Sequence, residues 1–134
     1  MPRESSFSVA RGSAQLLRVL VVSDHDATLL GLCDYLRGAG IVVRATRRLA
    51  DVRDQAADLA AIVLFPDDFE ADEVIAEVRQ LLGSLPPLQV LVVTEAPARF
   101  AAVGVAEVGR APVVIAKPAW GWTILDILRP ELAP

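Results

Sequence analysis

One cysteine, one histidine and a 5% share of aromatic residues leave this chain of 134 residues little of what most active sites are made from. Cys33 alone cannot close an internal disulfide, and on the same helical face as Leu29 and Leu36 it reads as a small buried hydrophobe. His25 has no second His or Cys at ligand spacing, so it reads as a loop histidine and not as a zinc ligand. The core has to come from Val, Leu, Ile and Ala, since 54% of the residues are hydrophobic. That composition suits parallel strands covered by helices. No apolar run approaches the roughly 18 residues of a membrane span, and the N-terminus lacks the apolar core of a secretory signal. A cytoplasmic location and no membrane partner are therefore expected. A net charge of −4 argues against the basic face that nucleic acid requires. There is no internal repeat and no linker, and the length is that of one domain.

What is present is an alternation of apolar runs and helical patterns. Residues 1–16 are rich in Ser and Arg, lack periodicity and read as a flexible N-terminal tail; residues 17–134 read as the domain. Leu17, Val19, Leu20, Val21 and Val22 form an apolar run without strict alternation, as in a strand buried on both faces. It breaks into Ser23-Asp24-His25-Asp26, with Asp26 placed as helix N-cap, and Leu29, Leu32, Cys33 and Leu36 then share one helical face. Gly38-Ala39-Gly40 stops that helix. Ile41 to Thr46 is a second strand, and Leu49, Val52 and Ala56 give a weak helical face. A third strand over residues 59–65 is stopped by Pro66-Asp67-Asp68. The helix after it carries Val74, Val78, Leu81 and Leu82, with acids in its first turn and Pro86-Pro87 beyond its end. Leu88 to Thr94 reads as the fourth strand. Around Phe100 and Val103 the pattern loosens and any helix should be short. Pro112 to Ala116 is the fifth strand. Lys117-Pro118 closes it, with Pro118 able to take the first position of a last helix that carries Ile124, Leu125 and Leu128 and stops at Pro130.

This is a (βα)5 pattern, α/β with a parallel sheet, and in such folds chemistry collects at the carboxyl ends of the strands. Ser23, Asp24, Thr94 and Lys117 all stand at predicted strand ends. Trp120 and Trp122, spaced i and i+2, cannot share a helix face, so one should be exposed or covered by a partner.

The ordered set resembles the receiver domains of bacterial two-component response regulators. Val21-Val22-Ser23-Asp24-His25 looks like the family's first strand leading into paired acids. Pro66 matches a proline that commonly follows the phosphoacceptor, Thr94 matches the family's Thr or Ser, and Lys117-Pro118 matches its Lys-Pro. The likeness spans residues 17–128. It implies a doubly wound, flavodoxin-like sheet in the order 2-1-3-4-5 and, in an active member, phosphoryl transfer to an aspartate beside Mg²⁺ held by carboxylates.

The departures are chemical. One of the paired acids is Ser23. The nucleophile's position falls on Val63 counted from Asp58, or on Ile62 counted back from Pro66, and neither can be phosphorylated. The family's switch aromatic should fall near Val114. The expected product is a degenerate pocket of Ser23, Asp24, Val63, Thr94 and Lys117, with Lys117 paired to Asp24. No cofactor is expected beyond weak Mg²⁺ at Asp24, assisted by Asp26.

The resemblance then implies a non-enzymatic signalling module acting by protein–protein contact. Its partner would be a histidine kinase, a downstream regulator or a second copy, met through the family's fourth-helix, fifth-strand, fifth-helix face. Phe100, Val114, Trp120 and Trp122 are the interface residues expected. Two alternatives stay open. One is an active receiver phosphorylated on a displaced Asp67 or Asp68. The other is a flavodoxin-like binder of a small cofactor, although Ser-Asp-His-Asp would repel a phosphate where such folds place Gly, Ser and Thr.

Overall fold

The apolar runs become the interior of one parallel sheet in a computed structural model that describes residues 18–84 and 88–129. The strands are β1 (Arg18–Val22), β2 (Val42–Thr46), β3 (Ala61–Leu64), β4 (Gln89–Thr94) and β5 (Val113–Ala116), in the order β2-β1-β3-β4-β5. All four pairings are parallel. The expected 2-1-3-4-5 order is the one found.

Helices cover both faces. They are α1 (Asp26–Gly38), α2 (Val52–Gln55), α3 (Ala71–Leu82), α4 (Pro97–Phe100), α5 (Val105–Val108) and α6 (Gly121–Leu128). The period of two along β1 sorts its side chains. Val19 and Val21 join Leu32, Leu36, Ile124 and Leu128 beneath α1 and α6. Leu20 and Val22 join Val74, Val78 and Leu82 beneath α3. Residues 19–22 are all fully buried, so each side chain contributes about 1.5–3 kcal/mol of apolar burial. Burial also pushes the Cys33 thiol up, which keeps it protonated within this core.

Several local expectations change. His25, and not Asp26, is the N-cap of α1: its Nδ1 accepts from the Thr28 amide at 3.4 Å. The weak helical pattern at residues 49–58 yields two 3₁₀ turns around the four-residue α2, because the segment offers Val52 as its one fully buried anchor. The loose stretch after β4 breaks into α4 and α5, separated by Gly104 at φ +88. A Cβ on Gly104 would lie 2.6 Å from the Arg110 carbonyl oxygen, so this turn admits no side chain. Pro118 follows a cis peptide bond and stays outside α6, which starts at Gly121. The tail over residues 1–16, Leu17, the Pro86-Pro87 stop and the Pro130 stop lie outside the described residues. Among the described residues no helix is long and apolar enough to cross a membrane.

Candidate functional site

The register of the sheet brings β1, β3, β4 and β5 to an end along one edge. Val22 pairs with Leu64, Leu64 with Val92, and Thr94 with Ala116. Ser23, Phe65, Thr94 and Lys117 therefore emerge side by side. Pro66 fixes φ at the start of a 3₁₀ turn over Pro66–Asp68. That turn places two neighbouring carboxylates on opposite sides of the pocket.

Asp68 turns toward β1. Its Oδ2 accepts from the Ser23 hydroxyl at 2.8 Å and from the Asp24 amide at 2.9 Å. Asp67 turns toward β4 and β5. Its Oδ1 accepts from the Thr94 hydroxyl at 2.7 Å, and its Oδ2 from the Glu95 amide at 2.8 Å. The Lys117 ammonium lies 3.2 Å from the same Oδ2. The two halves are built alike. Each strand-end hydroxyl donates to a carboxylate and accepts from the amide two residues on: Ser23 from His25, Thr94 from Ala96, both at 3.0 Å. Ser23 and Thr94 are completely buried, so these partners satisfy hydroxyls that water cannot reach.

Burial alone would raise the Asp67 carboxyl. The Thr94 hydroxyl, the Glu95 amide and Lys117 outweigh it and hold the group below the usual carboxylate range. Asp67 is thus a fixed anion in contact with a hydroxyl, an amide and an ammonium.

Several expected site residues stand elsewhere. Lys117 pairs with Asp67, not with Asp24, because the Pro66 turn delivers a carboxylate into its reach. Asp24 points outward to Arg47 Nε at 3.3 Å, and Arg47 also holds Asp26 at 2.8 Å. Val63 is fully buried in mid-strand beneath α1 and α6 and does not reach the pocket. The residue that does is Phe65, just past the end of β3, two positions on and on the same face, with the Lys117 ammonium 6.0 Å from its ring centre. An unbroken apolar run carries no mark of where a strand stops, and the sheet register supplies it.

The interface set changes too. Phe100 is 2% exposed in the core under α3 and cannot meet a partner, since its ring anchors the short α4. Val114 is half-buried and packs against the same core. Trp120 and Trp122 are 56% and 55% exposed. Their rings stack, with centroids 5.3 Å apart and planes 8° from parallel. Both are exposed because Trp120 lies outside α6 as its N-cap, so no helical geometry separates them. Trp122 lines a cleft beside α1.

A Mg²⁺ ion would need carboxylates converging on one point. Here Asp24 is turned to Arg47, and Asp67 and Asp68 are turned apart, each committed to hydroxyl and amide donors. Among the described residues no three His, Cys, Asp or Glu side chains group as ligands. The donor set does not fit the ion. The missed participants were Asp67 and Asp68 as braces, Arg47 and Phe65. A signal existed for the first two: a Pro-Asp-Asp turn following a central strand, with hydroxyl residues ending both flanking strands.

No protein-family model matches the chain, and no curated protein matches its sequence. Solved structures do match its fold. A response regulator receiver protein from Sinorhizobium medicae aligns with a TM-score of 0.72 at 17% identity, covering 87% of this chain and 94% of that one. A CheY-like receiver domain protein from Methanospirillum hungatei aligns at 0.71 and 17%, with the same coverage of 87% and 94%. An orphan response regulator from H. pylori aligns at 0.70 and 16%, covering 87% and 97%. The chain has the CheY-like, flavodoxin-type α/β fold of these receiver domains.

Proposed function

We propose that this chain is a receiver-like signalling module that works without aspartyl phosphorylation and passes its signal by contact with another protein. The observation that supports this best is the seat of Asp67. Its carboxylate already holds the Thr94 hydroxyl, the Glu95 amide and the Lys117 ammonium, the kinds of donor a transferred phosphoryl group would need for charge stabilisation. β3 ends at Leu64 and is followed by Phe65, and neither side chain can accept a phosphoryl group. Asp24, Asp67 and Asp68 are each committed to other partners, and the pocket reads as a braced junction in a module that works by contact and not by catalysis.

In this reading the partner is a kinase, a downstream regulator or a second copy of the chain, in the cytoplasm. The exposed Val105, Val108 and Val113 on α5 and the open edge of β5 are the surface for it. Phe100 has no part in that surface.

A displaced acceptor is the competing reading, and Asp68 carries it. Asp67 has both oxygens engaged, whereas Asp68 Oδ1 accepts no hydrogen bond from a described residue. Intact mass after incubation with Mg²⁺ and acetyl phosphate, beside a working receiver as positive control, separates the two. The expected result is an unchanged mass. A base-labile phosphoryl adduct mapping to Asp68, or to Asp67, would replace the proposal with a relocated nucleophile.

A further inference from the structure

A cleft of about 910 Å³ opens between α1 and the segment that joins β5 to α6. This is within the size range of small-molecule sites. Three aromatic rings line it, Tyr35, Phe65 and Trp122, in a chain that is only 5% aromatic. Trp120 stacks on Trp122 and extends that wall. Its charged lining residues are Lys117 and Glu95. Lys117 is neutralised by Asp67 at 3.2 Å, whereas no described cation lies within ion-pair distance of Glu95. The cleft therefore presents three aromatic side chains and one carboxylate with no described cation beside it. Lys117 already demonstrates the pairing, its ammonium standing 6.0 Å from the centre of the Phe65 ring.

We propose that this cleft binds a small organic cation that carries an apolar or aromatic group. The cationic head is held by Glu95 and by the ring faces, and the apolar part packs against Tyr35 and Trp122. The chain's net charge of −4 favours the same sign of ligand. The site lies beyond the reading of the braced junction and requires no phosphorylation.

The only two tryptophans of the chain are Trp120 and Trp122, so intrinsic fluorescence reads this location directly. The full chain is titrated with benzyltrimethylammonium, with the neutral neopentylbenzene and with benzoate. The cation should give a saturable change, and benzoate none. Glu95→Gln should weaken the cation by about fivefold or more, the scale of one charge contact beside aromatic faces. Gly31 also lines the cleft and a Cβ there meets nothing within 4 Å. Gly31→Leu therefore starts a side chain from a Cβ with open space around it and should abolish the response, with the far-UV circular dichroism spectrum checking that the variant still folds. Equal binding of benzoate or of neopentylbenzene, or no saturable change with any probe, would overturn the proposal. So would fluorescence that varies with protein concentration alone, which would assign the cleft to a second copy. A response to a short arginine-containing peptide with none to benzyltrimethylammonium would also overturn it, in favour of a protein segment.

Discussion

Replacing Asp67 by asparagine keeps the shape of the side chain and removes its charge. The amide oxygen can take the place of Oδ2 opposite the Glu95 amide and Lys117, and the NH₂ then faces the Thr94 hydroxyl, which can accept. Three contacts survive in weaker form. Hydrogen bonds to a charged group contribute roughly 1.5–3 kcal/mol against about 0.5–1.5 for neutral ones. The Thr94 and Glu95 bonds then each lose on the order of 1 kcal/mol while the Lys117 contact stays charge-assisted through its ammonium, and the expected loss is about 2 kcal/mol. The Asp67 side chain is 28% exposed, shielded enough for that figure to stand without a large screening discount. For a domain of this size it corresponds to roughly 6–10 °C in Tm. The pH dependence has a definite sign. Asp67 titrates lower in the folded chain than in the unfolded one. Its stabilisation is therefore complete above the unfolded carboxylate value of about 4 and is lost as pH falls through the folded value. Urea unfolding of wild type and Asp67→Asn should show a constant gap from neutral pH down to about 5, closing below about 4. A gap under about 0.5 kcal/mol at neutral pH, or one that persists unchanged into acid, would refute the account of Asp67 as a bound anion.

Asp68→Ala leaves the buried Ser23 hydroxyl and the Asp24 amide without their acceptor. It should lose about 1–3 kcal/mol in the same urea assay, with Ser23→Ala in the double variant adding little because the two act as one unit. Gly104→Ala meets both an unfavourable positive φ and two contacts at 2.6 Å, with the Arg110 carbonyl oxygen and Leu82 Cδ1. A loss of about 2–4 kcal/mol is expected, read as a lower urea midpoint at unchanged slope.

The alternation of buried runs with helical patterns was legible because β1, β3 and β4 are apolar along most of their length and each main helix carries one apolar face. Leu29, Leu32, Cys33 and Leu36 lie buried on α1 as their spacing requires, and Val74, Val78, Leu81 and Leu82 do so on α3. Strand ends were less legible. Residues 59–65 contain no polar residue, so nothing local marks Leu64 as the end of β3 or lifts Phe65 into the pocket. Phe100 reads from sequence like any surface aromatic in a loose stretch, and only the packing of α4 against the sheet buries it.

The sequence by itself determined the fold class, the strand order implied by its family likeness and the absence of an acid along β3. The fold class and the missing acid follow from periodicity and composition, which each segment carries alone, whereas the strand order came only from the likeness to receiver domains. Tertiary structure decided the chemistry of the pocket. Thr94 and Lys117 come from strands distant in sequence from Asp67, and no local pattern states which carboxylate they meet. Register and a single proline turn bring Asp67 into contact with Thr94, Glu95 and Lys117, and send Asp24 to Arg47. Which charges neutralise each other depends on distances of a few ångströms between separate segments, and those are fixed only when the sheet is assembled.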